Sequence, residues 1–167
     1  MSGLTIGFVR AAGLFGGLIG WFGGAEFSHY TTILPSDPSY VIDARNNSVA
    51  GVPAGVQKRP LSYLKHDRIL WLNLEATAQQ LAAVEAALKS QLGKPYDQQG
   101  ILNFATGQMH DRNWQDESAW FCSELGIWSL QQAGLCPQLA LKPNRITPGD
   151  AALIVGALGA QSTTVKI

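Results

Sequence analysis

The chain has little charge and few cysteines. Charged residues make up 14% of it and balance to a formal net charge of zero. No run of Lys and Arg is present, and without clustered cations a phosphate backbone finds no counter-charge, so nucleic acid is not expected as a partner. Only two cysteines occur, Cys122 and Cys136, too few for a disulfide scaffold. A helix over 122–133 would hold them roughly 20 Å apart, whereas a disulfide needs Cα atoms within about 7 Å. Both read as free thiols, as a reducing compartment maintains. Three scattered histidines and two cysteines offer no metal-ligand spacing. The N-terminal glycines fit neither a phosphate-binding loop nor a dinucleotide fingerprint. No cofactor and no metal are expected.

An export signal is also missing. Segment 4–25 is apolar, but its one charge, Arg10, lies inside the apolar stretch, where a signal peptide would carry it ahead. Gly at 7, 13, 16, 17, 20, 23 and 24 weakens the segment as an isolated spanning helix. The expectation is a buried strand followed by a close-packed helix over 13–22, with no stable membrane span. Contact of residues 4–25 with lipid stays open. The expected location is cytoplasmic.

The 167 residues suffice for one domain over 1–167 with a sizeable core. Residues 5–9 read as a buried strand. Residues 29–34 (HYTTIL) are β-branched and aromatic between turn residues, and 40–44 (YVIDA) follow the turn-forming PSDPS, so the two predict an antiparallel hairpin. Residues 46–60 read as loop with a short strand at 55–58, and 69–74 (ILWLNL) as a further strand. Thr77 with Gln80 forms a capping box. Leu81, Val84, Leu88 and Leu92 then lie on one helical face, and Gly93 ends the helix. Residues 94–97 (KPYD) turn the chain, and 103–117 read as a long loop of the kind that often carries function. Residues 120–133 are helical up to Gly134. Residues 142–150 are Pro-punctuated, and 151–160 form a short strand or helix. The fold class is α+β, a small antiparallel sheet or half-barrel packed against helices.

Cys122 in WFCSEL is the most informative residue. The start of a helix supplies unpaired N–H groups and partial positive charge that favour thiolate and can stabilise an oxyanion. A buried structural cysteine explains the same context. His29 in FSHY reads as a hydrogen-bonded structural residue or as a base. Asp43 interrupts an apolar strand, where an acid is either solvent-facing or partnered. In a hairpin it can lie beside His29 and orient the imidazole. His66 sits in a charged stretch, His110 in the long loop, and Cys136 after a helix end. None of the three has a stronger signal.

At these residues the chain resembles the circularly permuted NlpC/P60, papain-like hydrolases, specifically the YiiX-type branch. The matching stretches are GFVR with the Gly-rich apolar segment after it, FSHY, VIDAR, PLSYL, GKPYDQQGIL, FCSEL, QQAGL and ITPGD, spanning nearly the whole chain. Their order carries the likeness. The resemblance implies the permuted papain-like fold, with Cys122 as nucleophile, His29 as base and Asp43 as orienter. Tyr96 matches a recurrent aromatic that either lines the site or packs in the core, and Ser28 and Trp120 flank the site as further candidate substrate contacts. Two departures stand out: Tyr30 follows the histidine in place of a small aliphatic residue, and Asp43 occupies a position commonly held by Glu. The implied activity is thiol hydrolysis of an amide or peptide bond through an acyl-enzyme, with cell-wall (peptidoglycan-derived) peptides as a substrate class. A cell-wall target would require delivery by lysis or an injection device. Acyl-lipid or thioester hydrolysis or acyl transfer is a second reading. A non-catalytic binding or structural protein that keeps the fold is a third.

Overall fold

A computed structural model describes residues 2–10, 26–65, 67–98, 118–139 and 145–167. The helix expected over 13–22, His66, and the 103–117 loop with His110 lie outside the described residues. An α+β architecture is observed. Six strands, β1 (Ser2–Arg10), β2 (Phe27–Leu34), β3 (Asp37–Arg45), β4 (Gly55–Pro60), β5 (Ile69–Ala76) and β6 (Gln161–Thr163), form one antiparallel sheet in the order β4-β3-β2-β1-β5-β6. The helices are α1 (Ala78–Ser90), α2 (Cys122–Gln132) and α3 (Pro148–Ala157). A 3₁₀ turn, Leu61–Leu64, follows β4.

Strand alternation sorts the core into two layers. Leu4, Ile6, Phe8, Tyr30, Ile42 and Leu72 pack with the helices. Val9, Ile33, Val41 and Trp71 pack with Leu61 and Leu64 of the 3₁₀ turn. Covered on both faces, β3 is buried continuously from Val41 to Ala44, so its acid cannot reach solvent. The expected 29–34/40–44 hairpin forms, with Thr32 opposite Ile42 and Ile33 opposite Val41.

Several local expectations shift. The loop over 46–60 gives up its end to β4, which runs beyond the anticipated 55–58 and pairs with β3 along its whole length. The Thr77–Gln80 capping box is present, but α1 stops at Ser90, so Leu92 leaves the apolar stripe and is 41% exposed. Glu85 is buried on that face instead, accepting the backbone N–H of Ser36 at 2.9 Å and bonding its hydroxyl. Of residues 151–160, those up to Ala157 belong to a helix that begins earlier, at Pro148, because Thr147 caps it through the Asp150 N–H at 3.1 Å and Pro is tolerated in the first turn.

Gly126 marks where α2 lies closest to the sheet. A Cβ there would stand 2.1 Å from Tyr30 Cε1, and the Tyr30 ring is held edge-on to Phe8 at 5.3 Å. Gly126→Ala is therefore expected to destabilise by about 1–3 kcal/mol, overpacking outweighing the better helix propensity of Ala. The midpoint of urea unfolding measures it, and an unchanged or raised midpoint would show that α2 is free to move off β2.

Candidate active site

β2 and β3 are paired only over Thr32–Leu34, while β2 stays paired to β1 as far as Phe27 and β3 to β4 as far as Arg45. The sheet therefore parts between β2 and β3 over the residues that hold His29 and Asp43. The β1–β2 register also slips between Val9–His29 and Arg10–Phe27, so Ser28 is the extra residue of a β-bulge directly before the histidine. Bulges re-aim side chains and are common beside active sites.

Asp43 is the anchor of the site. Its Oδ2 lies 2.8 Å from His29 Nε2 and accepts the Tyr63 hydroxyl, and its Oδ1 accepts Arg59 Nη1 at 2.6 Å. Arg59 is fully buried and also donates to the carbonyls of Asp43 (3.1 Å) and Pro53 (2.8 Å). Burial acts to raise the Asp43 carboxyl, but the His29 charge and hydrogen bond, Arg59 and Tyr63 together outweigh it and hold the pKa at about 2. An ionised carboxylate can only accept, so the His29 proton on that side is on Nε2. Arg45 Nε, 3.3 Å from the same nitrogen, then finds no lone pair there, and the contact is one of charge alone.

With Nε2 committed to Asp43, Nδ1 is the ring nitrogen left for Cys122. The thiol, from the first residue of α2, interacts with the His29 side chain and with the backbone N–H groups of Tyr30 and Ser123, all of which favour its ionised form. Burial disfavours its ionisation, yet the bond to His29, the His29 charge and the two N–H groups prevail and lower the pKa. His29 is displaced the opposite way. Burial and the Arg45 guanidinium lower it, and the Asp43 carboxylate with the bonds to Asp43 and Cys122 prevail and raise it. Both displacements run toward the charged forms, thiolate and imidazolium.

The approach of Cys122 is set by short-range ties. Trp120 N–H donates to Pro95 O, and Asp97 N–H to Trp120 O, both at 3.1 Å, forming a one-residue parallel bridge between Tyr96 and Trp120. Ser123 Oγ donates to Ile146 O at 2.7 Å. Of the candidate substrate contacts, Tyr96 is partly buried. Burial and then the Cys122 charge push its hydroxyl well up. Ser28 is partly buried on the bulge. Trp120 is packed in the core. It is 1% exposed, its Nε1 donates to Gln91 Oε1 at 3.0 Å, and its ring lies 4.9 Å from that of Trp128.

Cys136 is a free, buried thiol, as is Cys122. Burial raises the Cys136 pKa, the inert pattern of a core cysteine. Among the described residues no group of three or more His, Cys, Asp or Glu could hold a metal, and no helix is long and apolar enough to cross a membrane. Three members of the site were not singled out from sequence: Arg59, Tyr63 and Arg45. The available signal for Arg59 was its alternation with Lys58 on a strand facing a buried acid, since such an acid requires a cation. No protein-family model and no curated protein sequence matches the chain.

Proposed function

We propose that the protein is a cysteine hydrolase of the permuted papain-like type, cleaving an amide or peptide bond with Cys122 as nucleophile, His29 as acid and base, and Asp43 as orienter. The observation that carries this reading is the buried His29–Asp43 pair, 2.8 Å apart, with Cys122 at the start of α2 interacting with the His29 side chain. The pKa displacements run in the direction that activates the sulfur. A merely structural cysteine explains neither the raised histidine nor the buried Arg59–Asp43 pair behind it.

In this mechanism the Cys122 thiolate attacks the carbonyl carbon, and the carbonyl π electrons move to oxygen. The N–H of Cys122, at the first position of α2, has no intrahelical acceptor and serves as oxyanion donor. As the tetrahedral adduct collapses, His29 Nδ1 gives its proton to the departing nitrogen and the C–N bond breaks, leaving a thioester. Water then loses a proton to His29 and attacks the thioester, releasing the acid and restoring the thiolate–imidazolium pair.

Alkylation by iodoacetamide tests the reading without a known substrate. With Cys122 lowered from an ordinary value of 9.0, its rate should rise and level off on the acid side of that value. His29→Ala should move the rise to 9 or above, because burial then acts without its counterweight. A wild-type profile centred at or above 9, unmoved by the substitution, would refute catalysis. A panel of amide, ester and thioester substrates identifies the bond.

A further inference from the structure

Among the described residues, Arg59 is tied to Asp43, Arg10 to Glu26, Lys58 to Asp37 and Lys89 to Glu85. Arg45 is a cation in the site with no carboxylate partner among the described residues. It ends β3, two residues after Asp43, and is partly buried. Its guanidinium carbon lies 4.9 Å from the centre of the Tyr63 ring, and its Nε 3.3 Å from His29 Nε2. The Nε2 proton leaves that nitrogen nothing to offer Arg45, so none of the guanidinium N–H groups has an acceptor among the described residues. Asp43 makes its bonds to other groups. Its Oδ2 is taken by His29 and Tyr63, and its Oδ1 by Arg59.

A fixed cation beside the histidine that must itself become cationic is electrostatically unfavourable. An incoming anion reverses that sign, and a guanidinium whose fork is empty and whose plane rests on an aromatic ring is suited to a carboxylate in two-point contact. We propose that Arg45 selects the substrate by receiving a carboxylate that the substrate carries close to the scissile carbonyl. The proposal rests on the hydrolase reading and names its substrate class: acyl compounds, such as peptides, with a free carboxylate beside the bond to be cut. Tyr63 then has two duties, orienting Asp43 through its hydroxyl and Arg45 through its ring.

Two alkylating reagents that differ in one group provide the test. Iodoacetate carries the carboxylate and iodoacetamide the neutral amide. Either forms the same S–C bond at Cys122 with loss of iodide, and peptide mass reports the site. The wild-type protein should prefer iodoacetate, and Arg45→Gln should lower that preference about tenfold, as for loss of a charge-assisted hydrogen bond. Its iodoacetamide rate is the reference for that preference, so any effect of Arg45 on the Cys122–His29 pair cancels in the ratio. Arg45→Lys should fall between. A ratio unchanged in Arg45→Gln overturns the proposal, and so does an equal loss with both reagents, which would mean that Arg45 acts through His29. Acetate should slow iodoacetate alkylation more than equimolar inorganic phosphate, and the reverse order overturns the carboxylate assignment. Failure of the hydrolase reading appears elsewhere, as an ordinary wild-type iodoacetamide profile. An Arg45-dependent ratio in that event still supports anion capture at this site.

Discussion

Cys122→Ala and His29→Ala should each lower kcat by about a millionfold on any substrate that the wild-type protein turns over, and the double variant should be scarcely worse. Nucleophile and base act as one unit. Without His29 the buried thiol stays protonated, and without the thiol the imidazole has nothing to activate. Asp43→Asn should be milder but still severe, about ten-thousandfold. The groups aimed at Asp43 are all donors: Arg59 at Oδ1, His29 and Tyr63 at Oδ2. An amide must turn its NH₂ toward one side of that cage. If its oxygen stays with Arg59, the NH₂ meets His29 Nε2 and requires a lone pair there. The ring proton then moves to Nδ1, the nitrogen facing Cys122, and the base is lost. An Asp43→Asn protein with a tenth or more of wild-type kcat would remove Asp43 from the mechanism.

Arg59→Met should destabilise the fold by about 3–5 kcal/mol, because it leaves an ionised carboxylate buried with hydrogen bonds but without its full counter-charge. The carbonyls of Asp43 and Pro53 lose their donor at the same time. The paired replacement Asp43→Leu with Arg59→Met should recover much of that loss while remaining inactive, since exchanging both members of a buried pair for apolar side chains is often close to neutral. Urea unfolding of the three proteins measures both effects. If Arg59→Met alone costs less than about 1 kcal/mol, the pair does not anchor the hairpin.

The same carboxylate sets the acid limit of stability. Its folded pKa, about 2, is depressed from 3.8. Its contribution is therefore complete above the unfolded value and is lost as pH falls from about 4 to about 2, an amount of about 2 kcal/mol. His29, raised from 6.5, acts in the other direction. Its contribution is full below that value and fades as pH climbs through the folded pKa.

Much of this site is legible in the sequence through incongruity. An acid inside YVIDA demands an explanation, and the hairpin predicted from two β-branched runs supplies one by setting His29 diagonally across from it. Cys122 is legible as the start of a helix that ends at Gly134. Arg59 is not, because KRP reads as solvated charge until β4 pairs with β3 and draws alternate residues inward. Tyr63 depends on a 3₁₀ turn that has no apolar period to announce it. The surroundings of Trp120 are not legible either: nearness in sequence to Cys122 says little about direction, and its indole donates to Gln91, just past the end of α1. β6 consists of exposed residues, so only its pairing with β5 defines it.

Base and orienter lie 14 residues apart on a single hairpin, whereas the nucleophile arrives on α2, late in the chain. Contacts close in sequence form early, and those that close long loops form last. During synthesis the His29–Asp43 half of the site can therefore be in place before Cys122 has left the ribosome. Until α2 docks and the Tyr30 N–H captures the sulfur, that cysteine is an ordinary thiol. Under the proposed hydrolase reading, chemical competence therefore waits for α2 to dock, and a nascent chain lacking α2 would not hydrolyse its surroundings.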